Sequence, residues 1–444
     1  MNSVIALSLI AAASAFTTDK VAQIPQKPIF NDACPSTSLL SGECQESTID
    51  PSSGNIPFNQ NNTQQTLQES YDSAQKIADF PWSHWPECFS NENTTEPYCV
   101  FSDQKFASGR GIFIVSTPAM AYEMLNKPAF KDPEALSRIN NHNNPPFTQH
   151  EFPIKGRGLV ANKTLHRGDQ IFASTPLLIT NPDAYILSEE ERLKLAHRGV
   201  DTLPEATKPL FWALLDHFKG DAVDDRINTN AFEIEINGHM QHAVLPEIAM
   251  LNHDCRPNAA YFWDEETLSH YVHATQTIYP GQEITITYIN NERSRAKRMA
   301  NLKANWGFDC DCSSCSAHPS FYTESDSRLQ RIEDLTVHLN DWTPESKATP
   351  EIAETLISLY EQERLFASLG VAYKHAAEVY SSFGDRYNVI KYASLSTEMS
   401  MLDKGFRDRD VTDMRAMAKD PEMSWSWKKR FGNKRFESSC GHRH

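Results

Sequence analysis

Three cysteines in one tight loop, Phe308-Asp-Cys310-Asp-Cys312-Ser-Ser-Cys315, offer three soft ligands, and tetrahedral zinc takes four. The competing use is a pair of further disulfides, but bonds within so short a loop would be strained. Upstream runs Leu251-Asn-His-Asp-Cys-Arg-Pro-Asn258. There Asn252 offers both a donor and an acceptor, and His253 has two ring nitrogens that take separate partners. Between these stretches, Gly281-Gln-Glu-Ile-Thr-Ile-Thr-Tyr288 alternates like a strand and ends on a phenol. Earlier still, Gly156-Arg157-Gly158-Leu159 contains two residues without a Cβ, which lets backbone approach a ligand closely. Phe308 adds an aromatic face.

In this order and spacing the pieces resemble a SET domain, the lysine methyltransferase module, over roughly residues 145–317. The resemblance implies an α+β fold of small sheets. Its C-terminal strand is threaded through a loop, a knotted arrangement rare in proteins, and a helical insert splits the domain. It also implies S-adenosylmethionine as cofactor, with Gly156, Arg157, Gly158, Asn230, Asn252, His253, Tyr288 and Phe308 as its contacts. Tyr288 is by resemblance the catalytic tyrosine, and Tyr261 and Phe262 are candidates for a lysine channel. In SET domains of the SET–MYND type, the Cys of the Asn-His-x-Cys motif completes the zinc site. That residue is Cys255 here, beside Cys310, Cys312 and Cys315. No Cys lies between Cys99 and Cys255, so the zinc finger those relatives carry in the insert is absent. Methyl transfer is a direct displacement, so the protein's task is to align the groups and strip water from a neutral amine.

The elements that must position these residues follow from pattern. Gly109-Arg-Gly111 imitates the later glycine stretch and reads as an edge strand, with a short helix from Pro118 to Leu125 after it. Leu159 to Ala161, a Gly168 turn, and Gln170 to Ile179 read as a hairpin, with Pro176 near its end. Ser188 with Glu191 forms a capping box ahead of Leu193, Leu195 and Ala196. Pro209 to Phe218 spaces Leu210, Phe211, Leu214 and Leu215 along one helical side. Beyond Asp326, helices are expected at 326–340, 351–368, 371–383 and 387–403, paired in the tetratricopeptide manner.

Met1 to Ala15 carries a short apolar run closed by Ala13-Ser14-Ala15, the pattern of a cleaved secretory signal. Residues 16–100 form an irregular region in which four cysteines read as two disulfides, Cys34–Cys44 and Cys88–Cys99, favoured by their short loops. The SET-like part then occupies 101–317, with its insert at about 185–225 and the zinc loop at 308–317. A helical domain covers 326–405, and 406–444 reads as a polar tail.

The full chain of 444 residues has 42 basic and 58 acidic side chains, a formal net charge of -16. Such a surface argues against general nucleic-acid binding and suits a cationic partner such as a lysine-rich protein segment. No stretch reads as a membrane span. Two functions remain in view: an S-adenosylmethionine-dependent protein-lysine N-methyltransferase, and a secreted SET fold kept as a binding module without transfer activity. The secretory signal places the protein outside the cell or in the secretory pathway; an uncleaved N-terminus would leave it in cytosol or nucleus.

Overall fold

The computed structural model describes residues 80–153 and 155–431. The signal segment, Cys34 and Cys44 lie outside them. Among the described residues, thirteen strands in three small sheets surround the site. The largest sheet has the order β1 (Glu87–Phe89), β2 (Tyr98–Asp103), β3 (Ile112–Ser116), β7 (Leu178–Thr180), β9 (His239–Val244), β8 (Ala231–Ile236). The second runs β10 (Asn252–His253), β13 (Glu283–Ile286), β5 (Gly156–Ala161), β4 (Phe147–Phe152). The third runs β11 (Ala259–Asp264), β12 (Ser269–Ala274), β6 (Gln170–Ser174).

Cys88 and Cys99 face each other across β1 and β2 and are joined by a disulfide, the second of the two expected pairs. Two expectations of strand pairing are corrected. The segment after Gly109-Arg-Gly111 is no edge strand: β3 pairs with both β2 and β7, and every one of its residues is buried. An inner strand covered on both faces reads as a continuous apolar run. Nor do β5 and β6 form a hairpin. β5 joins β4 and β13 while β6 joins β12, so the Gly168 turn carries the chain from one sheet to another.

Two short helices follow β3, α1 (Pro118–Met124) and α2 (Pro128–Lys131). The insert opens with α3 (Glu189–Thr202), whose Ser188–Glu191 capping box is complete. The helix expected over 209–218 is only α4 (Lys208–Trp212), and an unforeseen α5 spans Ala222–Asn230. Phe211 and Leu214 are buried, but Leu210 and Leu215 point to solvent. The reason for the early stop lies in Asp225. Its buried carboxylate accepts the backbone N–H groups of His217, Phe218 and Lys219, which holds that segment as a loop.

After α6 (Arg295–Trp306) come α7 (Pro319–Leu339), α8 (Pro350–Gln362), α9 (Leu369–Phe383) and α10 (Arg386–Asp403). α8 ends well before 368 because Arg364 adopts a left-handed backbone, φ 55°. The polar tail expected from 406 is structured to the end of the described residues. α11 (Arg409–Lys419) buries Met414 and Met417, and Trp427 packs on the same core. Spacing concealed this because most of the segment is charged and only one narrow stripe is apolar.

The helices are tied to the sheets by a buried ion pair. Arg256 Nη2 lies 2.5 Å from Glu363 Oε2, with side-chain exposures of 2% and 3%. Glu363 also accepts from Ser325 Oγ and Arg328 Nε, both at 2.6 Å. Removing one partner strands a buried charge, so Glu363→Ala is expected to lower unfolding free energy by about 3–5 kcal/mol in urea titrations. Glu398→Ala, which breaks the exposed pair with Arg167, is expected to change it by less than about 1 kcal/mol.

Candidate active site and cysteine cluster

Three distant segments meet at the junction of β5, β10 and β13. Gly158 lies against Asn252: a Cβ added there would sit 2.6 Å from Asn252 Nδ2. That nitrogen donates to Arg157 O at 3.2 Å and to Glu283 Oε1 at 2.9 Å, while Asn252 Oδ1 has no hydrogen-bond partner among the described residues. Glu283 Oε2 pairs with Lys155 Nζ at 2.9 Å. Gly156, at φ 71°, has no heavy atom within 4 Å of where a Cβ would stand, so the strand has a bare, open lip.

His253 is buried and both ring nitrogens are engaged by the protein. Nδ1 accepts the backbone N–H of Tyr288 at 3.0 Å, which puts the ring proton on Nε2, 3.3 Å from Cys255 Sγ. Burial lowers its pKa to about 4, so the ring is neutral. The Tyr288 hydroxyl donates to Leu251 O at 2.6 Å. Its ring lies 5.4 Å from His253 and 5.6 Å from Trp306. Burial first, then the nearby Tyr261 and Glu283, push the phenol pKa up, so Tyr288 stays protonated through the neutral range.

Phe308 is half-buried, with its ring 6.3 Å from His253. Arg157 donates from Nη2 to Ala213 O in the insert. Asn230 ends α5, where its amide donates to Leu215 O and Arg226 O at 2.8 and 2.7 Å. Its side chain thus secures the insert loop. Tyr261 and Phe262 part company, because neighbours on a strand face opposite sides. Tyr261 packs on Phe232 and His270 and lies near enough to Tyr288 to raise the pKa of its phenol. Phe262 stacks on Tyr271 and covers the bare Cα of Gly405, so it belongs to the contact with the C-terminal helices and not to a channel.

The four sulfurs of Cys255, Cys310, Cys312 and Cys315 all lie within 4.8 Å of one another, and all four residues are buried. None is in a disulfide. Sulfurs at the corners of a tetrahedral zinc site, about 2.3 Å from the metal, stand about 3.8 Å apart, so the set fits a metal as arranged. Fully buried Arg298 lies beside it and donates to Ser314 Oγ at 3.0 Å. Burial opposes its charge, but Cys255 and Cys315 raise its pKa above the usual value. A cation in that position offsets an excess of thiolate charge.

Several groups here were not singled out in the sequence: Lys155, Glu283, Trp306, Arg298 and His217. His217 Nε2 lies 2.9 Å from a Cβ placed on Gly307. Glu283 stood within a quoted strand, and an acid in an apolar alternation was the available signal. The others carried none.

Residues 156–289 match the family model for the SET domain. Over 190 residues, 41% of the chain, it is 30% identical to "Histone-lysine N-methyltransferase set5" of Schizosaccharomyces pombe, covering 52% of that protein. Over 93 residues, 20% of the chain, it is 34% identical to "N-lysine methyltransferase SMYD2-B" of Xenopus laevis, covering 21% of it. Over 81 residues, 18% of the chain, it is 38% identical to "Histone-lysine N-methyltransferase SET5" of Saccharomyces cerevisiae, covering 15% of it. The matched segments span about half of the first relative and about a fifth or less of the others. The fold is α+β and this chain carries a SET domain. No helix among the described residues is long and apolar enough to cross a membrane.

The approach to the motif is braced by Glu247, buried between Arg110 Nη2 at 2.8 Å and His142 Nε2 at 3.5 Å. Burial would raise its pKa, but Arg110 and His142 outweigh it and hold the carboxyl at about 2 against an ordinary 4.5. A depressed carboxyl stabilises the fold above its unfolded pKa and loses that contribution as pH falls toward the folded value. Wild type is therefore expected to lose about 3 kcal/mol more than Glu247→Gln between pH 5 and pH 2, measured by urea titration at each pH.

Proposed function

We propose that the protein is an S-adenosylmethionine-dependent protein-lysine N-methyltransferase. The observation that carries this reading is the convergence of the glycine strand, Asn252–His253 and the Tyr288 phenol on one junction. The residues present suit the cofactor: an open glycine lip at Gly156, an uncommitted Asn252 Oδ1 and the Phe308 face. When bound, S-adenosylmethionine supplies an electrophilic methyl group. The chain's own task is alignment. Tyr288 is a neutral phenol anchored on Leu251 O, so its oxygen can orient an incoming amine but does not take its proton.

The amine must arrive unprotonated. Tyr261, Phe232 and a buried, neutral His270, whose pKa burial lowers to about 3, make the adjoining face largely aromatic. Low polarity disfavours the ammonium form and so favours the nucleophile. The net charge of -16 suits a lysine-rich protein substrate.

Tyr288→Phe is expected to lower transfer of a labelled methyl group to a lysine-rich protein by about a hundredfold. S-adenosylhomocysteine binding by calorimetry should persist in that variant. No binding of S-adenosylhomocysteine by the wild type would favour an inert binding module.

Cys255, Cys310, Cys312 and Cys315 hold a structural zinc in this reading, which pins the segment after Trp306 to the motif. Elemental analysis is expected to give one zinc per chain, and Cys255→Ser to lose it together with a large drop in melting temperature. Wild-type protein free of zinc and with paired cysteines would show disulfides instead.

Met1–Ala15 serves as a cleaved secretory signal, a reading supported by the Cys88–Cys99 disulfide, which needs an oxidising compartment. N-terminal sequencing of the mature protein tests it, and an intact Met1 rejects secretion.

A further inference from the structure

Away from the candidate active site, a cleft of about 480 Å³ opens between Tyr122 of α1 and Phe130 of α2. Trp82 lies beneath both rings, 4% exposed. Tyr122 stands edge-on to it, with centroids 6.2 Å apart and planes at 79°. Phe130 does the same at 6.4 Å and 78°. Trp82 thus meets each of the other two rings at a near right angle, and those two line the opening.

Asp103 also lines the cleft. Its Oδ1 accepts from Lys105 N at 2.8 Å and Ser83 Oγ at 3.5 Å, while Oδ2 has no partner among the described residues. Lys131 is the cation at this rim, and its Nζ is tethered to Asn126 Oδ1 at 2.7 Å and not to Asp103. The Trp82 ring N–H is buried without a partner among the described residues. The cleft therefore combines aromatic walls, an uncommitted carboxylate oxygen, a lysine already held by Asn126 and apolar surface from Pro81 and Leu125.

A cation is drawn to such rings by their quadrupoles and to Asp103 by its charge. A bare ammonium is strongly hydrated and resists entry. Methyl groups on the nitrogen remove its hydrogen-bond donors, spread its charge and match the apolar walls. We propose that this cleft binds a methylated ammonium group, of the kind carried by trimethyl-lysine or choline. The proposal does not depend on methyl transfer, and binding is measured without cofactor.

The test is calorimetric titration of the full chain with a trimethyl-lysine peptide, the same peptide unmodified, and choline chloride. A trimethylated ligand is expected to bind about tenfold tighter than unmodified lysine. Tyr122→Ala, at an exposed position, should abolish that preference with the melting temperature kept, and Tyr122→Phe should retain it. Choline binding equal to the peptide supports the site with a free or lipid headgroup as source. Preference for the peptide supports it with a lysine side chain as source. Equal affinity for modified and unmodified peptide overturns the proposal. So does a preference that survives Tyr122→Ala, or one lost on Tyr288→Phe alone, which would place the binding in the candidate active site.

Discussion

A parallel ladder two residues long, Asn252–His253 against Thr285–Ile286, is what the candidate active site hangs on. Parallel pairing is the weaker kind per residue, and so short a ladder cannot hold itself. Side chains extend it at both ends. Asn258 acts as a substitute peptide group, donating to Glu283 O at 2.8 Å and accepting from Thr285 N at 2.9 Å. His253 Nδ1 takes the N–H of Tyr288 just past the last paired residue, and Asp254 N donates to Ile286 O at 2.9 Å. The four-cysteine cluster then sets Cys255 beside the segment beyond α6. Tyr288 is positioned because each of these ties reaches the strand that carries it.

The next residue of the motif transmits that constraint to the helices. Arg256 Nη1 donates to Cys255 O at 2.8 Å and Asn291 O at 3.2 Å, while Nη2 meets Glu363. Burying such a pair gives little net stability, but leaving either partner alone is severe. The pair therefore acts more as a register pin than as a source of stability. Tyr360 Oη, donating to Glu292 Oε1 at 3.1 Å, and Phe262 over Gly405 fasten the same helices to the chain beyond β13 and to β11. The C-terminal helices thus stand behind the motif as part of its support.

How far the sequence could be read follows from what each residue contacts. Short local rules succeeded: the capping box at Ser188, the α1 start at Pro118 and the Cys88–Cys99 bridge all depend on neighbours in sequence. The motif residues were legible because their types are rare together. Pairings between sheets were not, since nothing local distinguishes the inner strand β3 from an edge, or sends β6 to β12 and not to β5. The insert loop depends on one buried acid, Asp225, collecting three amides, which no periodicity encodes. Tyr261 and Phe262 show the limit at single-residue scale. Alternation says they face apart, but only the packed sheet says which faces the site.

The division of labour within the motif has a chemical consequence. Asn252 uses its amide nitrogen, and His253 both ring nitrogens, on partners within the protein. Neither side chain is available to carry a proton to or from a substrate. Tyr288 is a candidate group for the reacting amine, and its raised pKa keeps it from acting as a base at neutral pH. A site whose tyrosine stays a neutral phenol suits a displacement in which geometry supplies most of the rate. The braces around the ladder are then no mere scaffold. When alignment is the chemistry, the stiffness of Asn258, the cysteine cluster and the Arg256–Glu363 pair is what sets how well it is done.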